Sequence, residues 1–326
     1  MSSNIKLAVG LGDPAGIGSE IVAKAILKLK NSPIEFDLFC RHEFFKREQV
    51  RDKWPWVRDF LDYASYSGKV NFMGFPSLKG EVEFGKNSEF GGEFAYKSFI
   101  AAADSAMRGD CHALTAAPLS KESLNMAGYC YPGQTEILRE LAGVDRVVMM
   151  LLAGDFRVVP MTRHIALSKV PGAINENILS ETIEITHKSL TTYERIDSPR
   201  IALLALNPHG GENGLFGDEE EIIRASLEKF LAHGYSIEGP LVPDTAFLPE
   251  KRQRFDVIIG MYHDQVLIPL KMAGFAHGVN ATLGLPFIRT SPDHGTAFDI
   301  AGKDLADCSS IAEAFKLAAH WANNLR

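Results

Sequence analysis

The sequence predicts an α/β protein on a mainly parallel but mixed sheet, covered on both faces and built as one large or two interleaved lobes. Three observations predict it. Short apolar runs alternate with helix-period segments along the whole chain, the pattern of strands joined by covering helices. The runs are continuous rather than alternating, as in strands buried on both faces. The chain has 326 residues, more than one small core can use.

Taken in order, Ile5–Leu11 is the first buried strand. Ile17–Lys30 is a helix with Ile17, Ile21, Val22, Ala25, Ile26 and Leu29 on one face. Between them, Gly10-Leu11-Gly12-Asp13-Pro14-Ala15 fits a dinucleotide fingerprint in form. Asp13, however, puts a negative charge where a pyrophosphate would sit. The segment reads instead as a tight turn with Pro14 near the helix start, able to touch a ligand without acting as a dinucleotide finger. Phe36–Cys40 and Val70–Met73 are strands, and residues 75–94, rich in Gly, Glu and Phe, form an irregular excursion. Ala95–Arg108 is a helix. Val147–Leu152 and Phe156–Met161 flank Gly154-Asp155, a hairpin signal that makes the sheet mixed. Ile201–Leu206 and Val257–Met261 are dense strands; Asp218–His233 and Ser310–Leu325 are amphipathic helices.

Hydrophobic residues at 46% and charged residues at 23% are ordinary globular usage. A formal net charge of -7 argues against nucleic acid or anionic membrane as the main partner. No apolar run approaches the ~20 residues that cross a bilayer. The start, Met1 to Lys6, lacks a basic segment followed by an apolar core. Cysteines 40, 111, 130 and 308 form no CxxC pair and read as small buried hydrophobes. A reducing cytoplasm is the expected compartment.

Three histidines follow three strands. Phe156–Met161 leads to His164, Ile201–Leu206 to His209, and Val257–Met261 to His263. The carboxyl edge of an open α/β sheet is where ligands bind. Three neutral imidazoles there would make a metal site with open positions. Each is equally a loop histidine of the capping kind, and spacing does not decide. Downstream of His263 lie Lys271, Asn280, Arg289, Thr290 and Ser291, donors suited to a phosphate or carboxylate, or solvated surface groups. Pro132-Gly133-Gln134-Thr135-Glu136 opens a helix, with amides for an anion or with Thr135 as a plain cap.

These segments together resemble the 4-hydroxythreonine-4-phosphate dehydrogenase family. The resemblance is carried by Gly12–Gly18, Ala117–Lys121, Pro132–Glu136, Leu206–Gly214, Met261–Gln265 and above all Gly284–Lys303. His294–Ala297 with Asp299–Lys303 is also similar to the NAD loop of isopropylmalate and isocitrate dehydrogenases. The resemblance implies an isocitrate/isopropylmalate dehydrogenase-like fold, two interleaved α/β/α lobes with an interlobe cleft. Residues 1–115 plus 265–326 would form the lobe with the nucleotide loop, and 116–264 the lobe with the metal histidines and dimer contacts.

It further implies a homodimer with shared sites and one divalent metal (zinc, or magnesium, manganese or cobalt) on His164, His209 and His263. Gln134, Thr135, Lys271, Asn280 and Arg289 would bind substrate, and Gly12, Asp13, His294, Gly295, Thr296 and Asp299 the NAD or NADP. Asp244, Asp264 and Lys271 are the catalytic candidates, with hydrogen bonds that orient the histidines as their other role. The implied reaction oxidises a phosphorylated hydroxy amino acid, 4-phosphohydroxy-L-threonine, and decarboxylates it to 3-amino-2-oxopropyl phosphate for vitamin B6 synthesis.

Gln134 stands where the family often has His, Ser19 where Pro is common, and Arg163 where a small polar residue is frequent. Two classes therefore stay open. Within the fold, the substrate is 4-phospho-D-threonate, 4-phospho-D-erythronate or a terephthalate cis-dihydrodiol. In another class, the same histidines serve a metal-dependent phosphohydrolase that needs no NAD.

Overall fold

The computed structural model describes residues 4–74 and 80–326. Met1–Ser3 and residues 75–79, the start of the excursion expected at 75–94, lie outside them. The strands are β1 (Ile5–Gly10), β2 (Ile34–Leu38), β3 (Val70–Phe72), β4 (Ala113–Ala116), β5 (Val148–Ala153), β6 (Phe156–Thr162), β7 (Ile201–Leu204), β8 (Ile237–Leu241), β9 (Val257–Tyr262), β10 (Val279–Leu283) and β11 (Ile288–Pro292). Helices of nine or more residues are α1 (Gly18–Lys28), α2 (Val57–Ser67), α3 (Glu89–Met107), α4 (Gln134–Ala142), α5 (Glu176–Tyr193), α6 (Glu219–Ala232), α7 (His263–Gly274) and α8 (Ser309–Asn324).

The chain forms two compact units, one of Met1–Asp145 with Leu285–Arg326 and one of Arg146–Gly284. In the first, the strand order is β3-β2-β1-β4-β11 and every pairing is parallel. In the second, the order is β10-β5-β6-β9-β7-β8. There β5 pairs antiparallel with both β10 and β6, through the expected hairpin, and the other pairings are parallel. The sheet is thus mixed and mainly parallel.

The crossings fall at 145/146 and 284/285 rather than near 115/116 and 264/265. Packing sets both. A Cβ at Gly92 in α3 would lie 1.9 Å from the Ser123 carbonyl oxygen, so residues beyond β4 stay against the first unit. Val266, Leu267 and Leu270 of α7 pack with Met149, Leu151, Val158 and Ile258, which holds α7 in the second.

Helix α3 begins at Glu89, six residues before the expected Ala95. The Ser88 hydroxyl caps it by accepting from the Gly91 amide. Gly91 and Gly92 look like breakers in sequence. Both are demanded by packing, since a Cβ at Gly91 would sit 2.8 Å from the Asp13 carboxylate. On the first unit's sheet, Phe315 of α8 meets Phe36 of β2 edge-on at 5.0 Å.

The cysteines divide. Cys40 and Cys111 are buried, and burial pushes the Cys111 thiol up to about 12. Cys130 is exposed and Cys308 half-buried, so neither is the core hydrophobe expected of it. Among the described residues, no helix is long and apolar enough to cross a membrane.

Candidate active site

In the second unit the carboxyl ends of β6, β9 and β7 are lashed together. Thr162 Oγ1, ending β6, donates to the Met261 carbonyl at 2.7 Å. Gln265 accepts from the Met261 amide at 2.7 Å and donates to the Ala205 carbonyl at 2.8 Å, tying β9 to the end of β7. These bonds place His164, just past β6, near His263, the first residue of α7. Their ring centroids are 5.9 Å apart, tilted by 46°. His263 Nδ1 bonds Asp264 Oδ1 at 2.7 Å. An ionised Asp264 makes Nδ1 the donor and leaves the lone pair on Nε2, the tautomer a metal needs.

His209 lies on a separate device. Residues His209 to Asn213 take φ of 52, 67, 77, 45 and 56°, five consecutive left-handed positions. Glu220, buried in the first turn of α6, accepts from the amides of Leu206 and Asn207 where this loop begins. Burial alone would raise the Glu220 carboxyl. The hydrogen bonds from Asn207 and Leu206 outweigh it, and the pKa is held below the ordinary value. Among the described residues, no three His, Cys, Asp or Glu side chains are grouped to hold an ion. One chain therefore brings His164 and His263 together but does not join His209 to them. Asp244 is exposed on the short turn Pro243–Ala246, Lys271 is half-buried two turns along α7 from His263, and Asn280 is half-buried on β10.

In the first unit Arg289 of β11 is 2% exposed, and burial pushes its guanidinium down to about 10. It stays protonated at neutral pH and donates to Gln134 Oε1. Gln134 in turn donates to the Ala117 carbonyl at 2.8 Å. The residue that departs from the family pattern thus anchors a buried cation to the end of β4. Thr135, beside it in the first turn of α4, is half-buried.

The turn after β1 proves to be a support. Gly12 and Asp13 are buried, the Asp13 amide donates to the Pro118 carbonyl at 2.9 Å, and Asp13 Oδ1 accepts from the Ala15 amide at 2.9 Å. Expected at the cofactor, this pair instead sits beneath the surface. The same turn holds the His294 loop, because Ile17 N donates to the Thr296 carbonyl at 3.0 Å. His294, Gly295 and Asp299 are exposed and Thr296 is half-buried. A Cβ on Gly16 would lie 2.8 Å from the Thr296 oxygen and 3.2 Å from the Phe298 ring. Gly16→Val is expected to displace this loop and to speed hydrogen exchange over residues 293–299 roughly tenfold, about 1.4 kcal/mol of local stability. Exchange over these residues equal to that of the parent would show that the loop does not depend on the turn.

Three residues that this geometry uses were not singled out by sequence. Glu220, Gln265 and Thr162 each sit inside an ordinary helix or strand pattern, and only the fold shows what they bind.

Comparison with known proteins agrees with this architecture. A profile of the family described as pyridoxal phosphate biosynthetic protein PdxA matches residues 15–318. The chain is 40% identical to a 4-hydroxythreonine-4-phosphate dehydrogenase of Geobacter metallireducens, over 97% of this chain and 95% of the relative. It is also 40% identical to a D-threonate 4-phosphate dehydrogenase of Salmonella typhimurium, over 97% and 98%. The crystal structure of 4-hydroxythreonine-4-phosphate dehydrogenase from Klebsiella pneumoniae superposes with a TM-score of 0.83 at 35% identity, covering 98% of this chain and all of that one. A β-decarboxylating dehydrogenase from Thermococcus kodakarensis, at 13% identity and a TM-score of 0.52 over 95% of this chain and 80% of that one, shares the fold alone. The fold is therefore isocitrate/isopropylmalate dehydrogenase-like. The relatives are named as dehydrogenases, which marks this chain as an oxidoreductase. Matched along nearly its whole length by the profile and by these relatives, the chain belongs to the PdxA family of pyridoxal phosphate biosynthetic proteins.

Proposed function

We propose that the chain oxidises 4-phosphohydroxy-L-threonine at its 3-hydroxyl with NAD, or with NADP, and decarboxylates the product to 3-amino-2-oxopropyl phosphate. The observation that carries this reading is the His164–His263 pair at adjoining strand ends, in a chain with near-full-length kinship to dehydrogenases named for that substrate. The donor set fits a divalent ion, zinc most directly and magnesium, manganese or cobalt as others. When bound, the ion supplies Lewis acidity at the substrate hydroxyl and NAD accepts the hydride.

The remaining work belongs to side chains. Asp264 fixes the His263 tautomer and so orients it, which leaves Asp244 and Lys271 to take the hydroxyl proton. Phosphate recognition is assigned to Thr135, Lys271, Asn280 and Arg289, with Gln134 setting the Arg289 guanidinium. His294, Gly295, Thr296 and Asp299 are assigned to the nucleotide. Gly12 and Asp13 act on it by shaping the supporting turn. Oxidation leaves a carbonyl beside the carbon bearing the carboxylate, and that carbonyl takes the electron pair released as carbon dioxide departs. The free cysteines suit a reducing cytoplasm.

The first experiment follows NADH absorbance with 4-phosphohydroxy-L-threonine, NAD and a divalent metal, with and without chelator. Chelator-sensitive NADH formation is expected. Phosphate release without NADH would replace this reading with a metal-dependent phosphohydrolase. A second reading, 4-phospho-D-threonate as substrate, rests on identity to the D-threonate 4-phosphate enzyme equal to that with the 4-hydroxythreonine-4-phosphate enzyme. Running both compounds in the same assay and comparing kcat/KM decides between them.

Arg289→Ala is expected to raise the KM for the phosphorylated substrate by about 2 kcal/mol, roughly thirtyfold, the scale of a charged hydrogen bond. Steady-state kinetics at saturating NAD measure it, and an unchanged KM would move the phosphate site elsewhere.

We assign completion of the metal site to a second copy of the chain in a homodimer with shared sites. Mixing inactive His164→Ala and His209→Ala proteins, after dissociation and reassociation, should then restore activity through one intact site per heterodimer. Sites confined to single chains would give none.

A further inference from the structure

We propose that Glu220 is a positioning residue that holds His209 in the conformation able to bind the metal; the inference rests on the metal assignment above. Glu220 is 2% exposed, an unusual place for an acid unless it is fully engaged. Its Oε1 accepts from the Leu206 amide at 2.9 Å and the Asn207 amide at 2.7 Å. Its Oε2 accepts from Asn207 Nδ2 at 3.0 Å, and that nitrogen also reaches Glu219 Oε2 at 2.7 Å. Both acids stand in the first turn of α6, where the helix dipole favours negative charge.

The loop is cut to receive this carboxylate. A Cβ on Gly211 would lie 2.6 Å from Glu220 Oε2, and one on Gly217 would lie 2.4 Å from Asn207 Nδ2. Glu220 and its partner Asn207 therefore meet the loop at its start, its middle and its end. Between those points run five left-handed residues, each disfavoured for an L-residue except glycine. Such a run keeps one shape only when its surroundings fix it. His209 is its first member, so the bonds that set the run also set where the imidazole stands. An outer-shell carboxylate of this kind typically controls metal affinity tenfold to a hundredfold.

The test uses full-length protein with Zn²⁺ alone, without NAD or substrate. Zinc affinity is read by competition with a chromogenic chelator, and hydrogen exchange is read over residues 206–214. Glu220→Ala should speed exchange in that segment and weaken zinc binding roughly a hundredfold. Glu220→Gln keeps the size and one acceptor oxygen but sets an amide nitrogen against Asn207 Nδ2. It should give an intermediate loss, roughly tenfold, and serves where the alanine variant fails to fold. Unchanged exchange, or faster exchange with parental zinc affinity, would overturn the inference. The His209→Ala protein separates the two levels. Lost zinc affinity there with parental affinity in both Glu220 variants rejects only the role of Glu220. Parental affinity in all three rejects the metal assignment itself.

Discussion

Replacing His209 by Ala should lower kcat roughly a thousandfold, about 4 kcal/mol of transition-state stabilisation, and strip most of the bound metal. The fold should survive. His209 is exposed, and its loop is held by Glu220, Asn207 and the glycines rather than by the imidazole. His209→Asn is the cleaner variant, because Asn accepts the left-handed φ of 52° more readily than Ala does. Metal content by atomic emission, kcat and Tm, measured on both proteins, check this. Parental activity and metal content would remove His209 from the site. Loss of all three quantities together would show that the side chain is structural.

The second large effect is expected at Gly12, through stability. Its φ is +70°, and a Cβ there would lie 2.0 Å from the Pro118 carbonyl oxygen. Gly12→Ala therefore combines left-handed strain, about 1 to 3 kcal/mol, with overpacking of similar size. The neighbouring Asp13–Pro118 hydrogen bond would be pushed apart as well. The sum is about 2 to 6 kcal/mol, enough at its upper end to make the first unit marginal or to cost most of the soluble yield. Urea unfolding followed by fluorescence is the measurement. A midpoint within error of the parent would mean that the turn shifts freely away from Pro118.

Most of the architecture could be read from periodicity because the strands are buried on both faces. β5, β7 and β9 are continuous apolar runs, β1 and β6 are interrupted only by Lys6 and Arg157 near their starts, and each appears within two residues of its expected bounds. What escaped did so for physical reasons. β11, Ile-Arg-Thr-Ser-Pro, buries five residues of which three are polar, so it reads as a donor cluster rather than a strand. β8 contains Gly239 and Pro240, residues that ordinarily end strands. The start of α3 hid behind two glycines whose reason is the approach of Asp13 and Ser123.

The site divides in the same way. Strand-end histidines are local and could be found from sequence, and the structure brings two of them together. Residues that act through others have no such signature. Glu220 has its partners 13 and 14 positions away in sequence, and Gln265 reaches Ala205 across 60.

The Gln134–Arg289 contact bears on how the proposed reaction meets a changing cellular environment. A histidine at position 134 would gain and lose a proton near pH 6.5, and the charge beside a bound phosphate would change with it. Gln134 has no proton to exchange, and Arg289, even lowered to about 10, keeps its charge through the physiological range. Gln134 and Arg289 therefore present one fixed positive charge to the proposed phosphate site, and a phosphate bound there would bring its own second ionisation, near pH 6. At this point mild acidification would act through a bound phosphate rather than through Gln134 or Arg289.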